Sequence, residues 1–216
     1  EVPLGASNAR TEFEMYVPAL LILSVVMMIF QTSMTVAREV EGGTLRRLQM
    51  TNMTAFDLLG GISLTQVLIS VIAVIATFLT AVLLGFHSQG SLCLAIFVGV
   101  LTSFSIIGVG LIIACLARTV SEAFIYANFP LIFLMFFTGA AFPIPTVPLF
   151  AVGSRTIGLF DVLPPTHAVV ALNKVLTLGA GFGEILYEVA ALTSLSLLYF
   201  GIGVWLFQRT RLHKSS

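Results

Sequence analysis

The chain has 216 residues, 58% of them hydrophobic and 9% charged, with a mean hydropathy of +1.07, a balance that belongs to an integral membrane protein and excludes a water-soluble domain. Ten Lys and Arg offset ten Asp and Glu, so there is neither a basic footprint for nucleic acid nor an acidic tail. Cys93 and Cys115 lie in one apolar segment, ~33 Å apart if it is helical, which is beyond disulfide reach. No CxxC or other metal-ligand spacing occurs.

The opening residues, 1–14, are polar (EVPLGASNARTEFE) and read as the tail of an extracytoplasmic connection. Met15 to Ala37 carries no charge and is long enough to cross a hydrocarbon core of ~30 Å, giving a first predicted span at about 15–37. No Asp, Glu, Lys or Arg stands between Leu58 and Ala117. The polar turn His87-Ser88-Gln89-Gly90-Ser91 divides that run into spans at about 59–86 and 92–116. A charged connection, Arg118 to Glu122, with a local ion pair expected between its ends, leads to a span at about 123–142, in which Pro130 predicts a kink. The last span, about 189–207, precedes a short tail, 209–216.

Between the last two spans, Pro143 to Glu188 is punctuated by Pro143, Pro145, Pro148, Pro164 and Pro165 and by Gly179, Gly181 and Gly183. Its pieces Leu149 to Phe160 and Thr166 to Leu178 have the lengths of interfacial or re-entrant helices. The expected fold is therefore an all-α integral membrane protein with about five transmembrane helices, a membrane-surface helix near 44–50 and re-entrant or interfacial helices on the opposite side.

Orientation follows from the distribution of cations. With the amino terminus outside, Arg38, Arg46, Arg47, Arg118, Arg209, Arg211 and Lys214 lie inside, and Arg10, Arg155 and Lys174 outside. The carboxyl terminus is then cytoplasmic. An amino-out start without a leader implies a segment upstream of Glu1.

The loop after the first span carries the most information: Arg38-Glu-Val-Glu-Gly-Gly-Thr-Leu-Arg-Arg-Leu-Gln-Met-Thr. Thr44 opens a short amphipathic stretch in which Leu45 and Leu48 share one face. Two uses fit it: a knob pressed by a partner protein, or a basic helix that fixes topology on anionic lipid.

This stretch, AREVEGGTLRRLQMT, resembles the R-E-x-E-x-G-T-L-x-x-L segment of the ABC-2 family of membrane permeases. The Pro-rich run from Thr138-Gly-Ala-Ala-Phe-Pro-Ile-Pro through Leu163-Pro164-Pro165-Thr166-His167 resembles that family's extracytoplasmic region before its last span. Asn52 and Gly61 depart from it, where Pro and Lys often stand. The resemblance implies that 44–50 is a coupling helix docking on a separate ABC nucleotide-binding ATPase subunit. It places Arg38, Glu39, Glu41, Gly43, Thr44, Leu45, Arg46, Arg47 and Leu48 at that interface. It also implies a span upstream of the first one, a second permease copy, and ATP and Mg held by the partner, with no cofactor on this chain. A multi-pass protein of a prokaryotic plasma or inner membrane is expected.

Polar residues within the spans are the next candidates. Ser63, Gln66, Ser70 and Thr77 form one stripe, and Ser24, Gln31 and Thr35 stand in similar register. With Asn128 they either line a translocation path or hydrogen-bond between helices of one subunit. Small residues in the 92–116 span, Ala95, Gly99, Ser103, Gly110 and Ala114, suit close helix packing. Phenylalanines at 124, 129, 133, 136 and 137 surround Asn128. Pro143, Pro164, Pro165 and His167 are candidates for an extracytoplasmic cap, with His167 either a pH-sensitive gate or a locally bonded side chain.

No HExxH, GxSxG or intramembrane acid supplies a catalytic constellation. Neither Lys174 nor Lys214 follows a Walker loop. The charge-free run argues against ion-driven transport, although a secondary transporter and a non-transporting membrane scaffold stand as alternatives to an ABC exporter permease.

Overall fold

The computed structural model describes residues 12–44, 55–138, 148–152 and 155–212, with side chains placed for 16–44, 56–138, 158 and 160–210. Its helices are α1 (Glu12–Val26), α2 (Met28–Glu41), α3 (Ala55–Leu83), α4 (Leu92–Leu116), α5 (Val120–Phe137), α6 (Pro164–Leu178) and α7 (Leu186–Phe207). Five stretches among the described residues are long and apolar enough to cross a membrane: Tyr16–Glu41, Phe56–Leu83, Leu92–Leu116, Val120–Phe137 and Phe182–Thr210. The chain is an all-α integral membrane protein, carrying one small β-hairpin.

Several boundaries differ from those expected. The first span is two helices, because Met27 interrupts it; the Met27 amide bonds Leu23 at 3.1 Å while the Phe30 amide bonds Met27 at 3.3 Å, a local tightening from i−4 to i−3. Helix α2 continues through Glu41, so Arg38, Glu39 and Glu41 are helical rather than in the loop. Nothing before Gly42-Gly43 breaks the helix, and Gly43 takes a positive φ of 71°, which suits glycine. Helix α5 begins at Val120 and runs through Pro130 without interruption. The segment 149–160, expected to be helical, instead pairs β1 (Pro148–Val152) with β2 (Arg155–Gly158) in antiparallel register. Its residues Leu-Phe-Ala-Val and Thr-Ile flank a Gly153-Ser154 pair, a hairpin pattern. A 3-10 turn, Leu159–Val162, follows.

Helix α4 is the axis of the bundle, packing against α7, α2, α3, α6 and α1. It can be approached closely because its contact faces are small. Gly99 faces Val74 of α3, Gly110 faces Thr32 of α2, and Gly108 faces the backbone of Phe200 and Tyr199 on α7. The α4–α7 seam also holds a hydroxyl–hydroxyl bond between Ser105 and Ser196 and the stacked rings of Phe104 and Phe200, 4.9 Å apart. Helix α3 turns Leu64, Leu68, Ile72, Ile75 and Leu79 outward, a stripe suited to lipid because hydrocarbon solvates it as well as protein does.

Val36, Leu59, Leu111, Ala114 and Phe207 form one buried cluster, which brings the end of α2, the start of α3 and the ends of α4 and α7 to one side of the bundle, here called the loop end. At the far end the Gln89 amide donates to the Leu176 carbonyl at 3.0 Å. There Gly179, at φ 68°, closes α6. Tyr199 lies past the midpoint of α7, about 20 Å from Leu186 at ~1.5 Å per residue, and its hydroxyl donates to the Val162 carbonyl at 3.4 Å. The turn before α6 therefore lies beside α7 rather than beyond its end. Non-helical backbone is tolerated at such depth only where protein covers it, and here the ring of Phe137 lies 5.1 Å from that of Phe160 while Pro164 and Pro165 are buried.

Candidate functional site

The loop end assembles part of the motif that points outward from the membrane. Arg38 and Glu41 are exposed, and Glu39, Gly43 and Thr44 are partly exposed. The Gly42 amide donates to the Arg38 carbonyl at 2.8 Å and the Gly43 amide to that of Val40 at 3.2 Å, closing α2, and Thr44 is again helical. Leu45, Arg46, Arg47 and Leu48 lie outside the described residues, and with them nearly all of the expected surface helix.

Glu41 does something its sequence position does not announce. Its carboxylate accepts the Val120 amide at 2.9 Å, across to the first residue of α5. That amide has no acceptor within its own helix, and a negative charge is favoured at a helix amino terminus. The same helix start is capped from within: the Glu122 amide donates to Thr119 Oγ1 at 3.2 Å, and the Arg118 amide donates to the Glu122 carboxylate at 2.7 Å. The expected Arg118–Glu122 ion pair is thus replaced by a bond to backbone. Ala37, Ala117 and Ala123 are buried together against Met34, small side chains that let α2 reach this connection. Near the same end the Arg209 guanidinium lies 5.4 Å from the Trp205 ring centroid, a cation–π distance.

The polar side chains inside the spans turn mostly toward their own bundle. Ser63, Gln66 and Ser70 are buried, and Gln66 Nε2 donates to Thr35 Oγ1 at 3.2 Å, joining α3 to α2. Ser70 and Ser24 donate to the carbonyls of Val67 and Leu21, each at 2.7 Å, and Asn128 to that of Phe124 at 2.8 Å. Gln31 is exposed on the outer face of α2. Thr32 and Ser33, not singled out from sequence, are fully buried instead. Thr32 Oγ1, Ser63 Oγ and Gln66 Oε1 are buried without a protein partner.

Pro164 and Pro165 occupy the first turn of α6, where their missing amides cost nothing. His167 is buried, and its Nε2 donates to the Asp161 carbonyl at 2.8 Å. Asp161 in turn accepts the Gly158 amide at 2.9 Å. Lys174 and Glu188 pair at 2.7 Å between α6 and α7, an ion pair that sequence spacing did not suggest. Pro143 lies outside the described residues. Among the described residues no group of His, Cys, Asp and Glu is arranged to hold a metal ion.

Comparison with known proteins gives one finding. The family model described as ABC-2 type transporter matches residues 2–176, which spans the motif at the loop end, the central helix and nearly all of α6. No curated protein and no solved structure matches the chain.

Proposed function

Since this chain belongs to the ABC-2 type transporter family, we propose that it is the permease subunit of an ATP-binding-cassette exporter, working with a separate ATPase subunit and a second permease copy. The observation that carries this reading is the family match, which contains the first four of the five spans and the loop that follows Glu41. In the proposed cycle, ATP and Mg are held by the partner, and closure of the ATPase pair pushes the Thr44 to Met50 segment. That segment leaves α2 through the Gly42-Gly43 turn, so a push there levers α2 and α3 against α4. The interface on this chain comprises Arg38, Glu39, Glu41, Gly43, Thr44, Leu45, Arg46, Arg47 and Leu48.

Orientation supports the same reading. The loop end holds Arg38, Arg118 and Arg209, and the far end holds Lys174, so the cation excess favours the loop end as the cytoplasmic face. The carboxyl terminus is then inside, and α6 with Pro164, Pro165 and His167 closes the path on the outside. The exported substrate is drug-like, lipid-like or of another class.

The test is reconstitution of the chain with the ATPase subunit that purifies with it. Glu39→Lys and Leu48→Asp are expected to leave the ATPase intact while abolishing its stimulation by the permease. Wild-type stimulation in both variants would contradict the proposed interface.

A further inference from the structure

We infer that Glu41 is a positioning residue that fastens the start of α5 to the end of α2, so that a push on the loop between α2 and α3 moves two spans as one. The inference rests on the coupling described under Proposed function and adds to it a second route into the bundle. Glu41 is the last helical residue before the Gly42-Gly43 turn, the point at which any displacement of the loop enters α2. Its carboxylate holds the amide of Val120, the first residue of α5, at 2.9 Å. The Arg118 and Glu122 amides at that helix start are satisfied locally by Glu122 and Thr119, whereas the Val120 amide depends on a side chain 79 positions away. Glu41 is exposed, so the bond competes with water and its net contribution is modest. A modest bond at a lever point transmits displacement without freezing it.

Val120 offers an unusually clean way to cut this tie. Proline is favoured at the first position of a helix, and Thr119 is already extended at φ −128°, ψ 161°, the conformation a residue before proline prefers. Val120→Pro therefore removes the donor and keeps the helix. The experiment uses the full chain in complex with its co-purifying ATPase in lipid nanodiscs. Hydrogen exchange is followed in α2 and in residues 121–130, nucleotide-free and trapped with Mg-ATP and vanadate.

In the wild type both segments change protection on trapping. In Val120→Pro the α5 response falls about fivefold, the scale set by one such hydrogen bond, while the α2 response stays; in Glu41→Ala the α5 response falls as far, and only that response is compared because Glu41 also belongs to the proposed interface. Glu41→Gln, which keeps an oxygen acceptor, retains the α5 response, and the double variant is no worse than either single one. A wild-type α5 response in Val120→Pro, or additive losses in the double variant, overturns the inference. If the wild type itself shows no nucleotide-dependent change in either segment, the coupling reading fails, before any substitution is compared, and this inference falls with it.

Discussion

Replacing Gly108 with alanine drives a methyl group into backbone. A Cβ there would stand 2.7 Å from the Phe200 amide nitrogen, 2.8 Å from the Tyr199 carbonyl carbon and 3.1 Å from the Phe200 Cα. None of these atoms can rotate away, so α4 and α7 must separate by roughly 0.7–1 Å to regain the usual contact of ~3.5–4.0 Å. Overpacking of this kind costs ~1–3 kcal/mol. The Phe104–Phe200 stack and the Ser105–Ser196 bond share the seam, which puts the expected loss near the upper end, ~3 kcal/mol. Gly99→Ala would meet only the Val74 side chain, at 3.1 Å and 3.2 Å, which can yield, so a loss of ~1 kcal/mol is expected. Gly201→Ala meets nothing within 4 Å and serves as the control, neutral or slightly stabilising through helix propensity. The assay is reversible unfolding in mixed micelles, followed by circular dichroism as denaturing detergent is titrated. If Gly108→Ala and Gly201→Ala unfold at the same detergent fraction, the bundle is not held by close approach along α4.

Two further substitutions probe the buried polar groups. Lys174→Met leaves Glu188, 4% exposed and with one oxygen already lacking a partner, as an uncompensated buried carboxylate. A loss of ~1–3 kcal/mol is expected, below the full figure for a buried pair because Lys174 is a third exposed. Adding Glu188→Gln should recover most of it, and strictly additive melting shifts would refute the pairing. Gln66→Leu removes the bond to Thr35, about 0.6 kcal/mol in a membrane interior, but also a buried oxygen without a partner. The net change in unfolding free energy is expected to stay within ~1 kcal/mol, and a loss above ~2 kcal/mol would show that Gln66 anchors more than one helix.

The spans were legible because length and absence of charge suffice to define them. Helix α4 has both ends where composition placed them, between the polar turn 87–91 and Arg118. The interior faces were not legible: spans apolar all round carry almost no directional signal, so Gln31 and Thr32 could not be told apart as outward and inward. The break at Met27 has no glycine or proline to mark it. The bond from Glu41 to Val120 joins residues that no helical periodicity relates, and only the packing of Ala37 against Ala117 and Ala123 brings them together. One signal was available and pointed elsewhere. Thr119-Val-Ser-Glu122 is a capping-box pattern, and taking it as a helix start rather than a charged connection moves α5 three residues earlier and dissolves the Arg118–Glu122 ion pair.

The way the intramembrane hydroxyls are satisfied bears on where a substrate could pass. Ser24, Ser33, Ser70, Thr77, Thr102 and Ser103 each donate to a carbonyl three or four residues back on their own helix, which spends their polarity locally. Those on α4 are also buried among the neighbouring helices, so the axis of the bundle is a packed core. Apart from the buried Thr32, Ser63 and Gln66 oxygens, polar side chains also stand on outward surfaces, among them Gln31 on α2 and the partly exposed Asn128 among the phenylalanines of α5. Both belong to the pair of helices that Glu41 fastens together. A route bounded by these faces is open to lipid on one side in a single copy, and a polar substrate would need a second copy of the permease to close it.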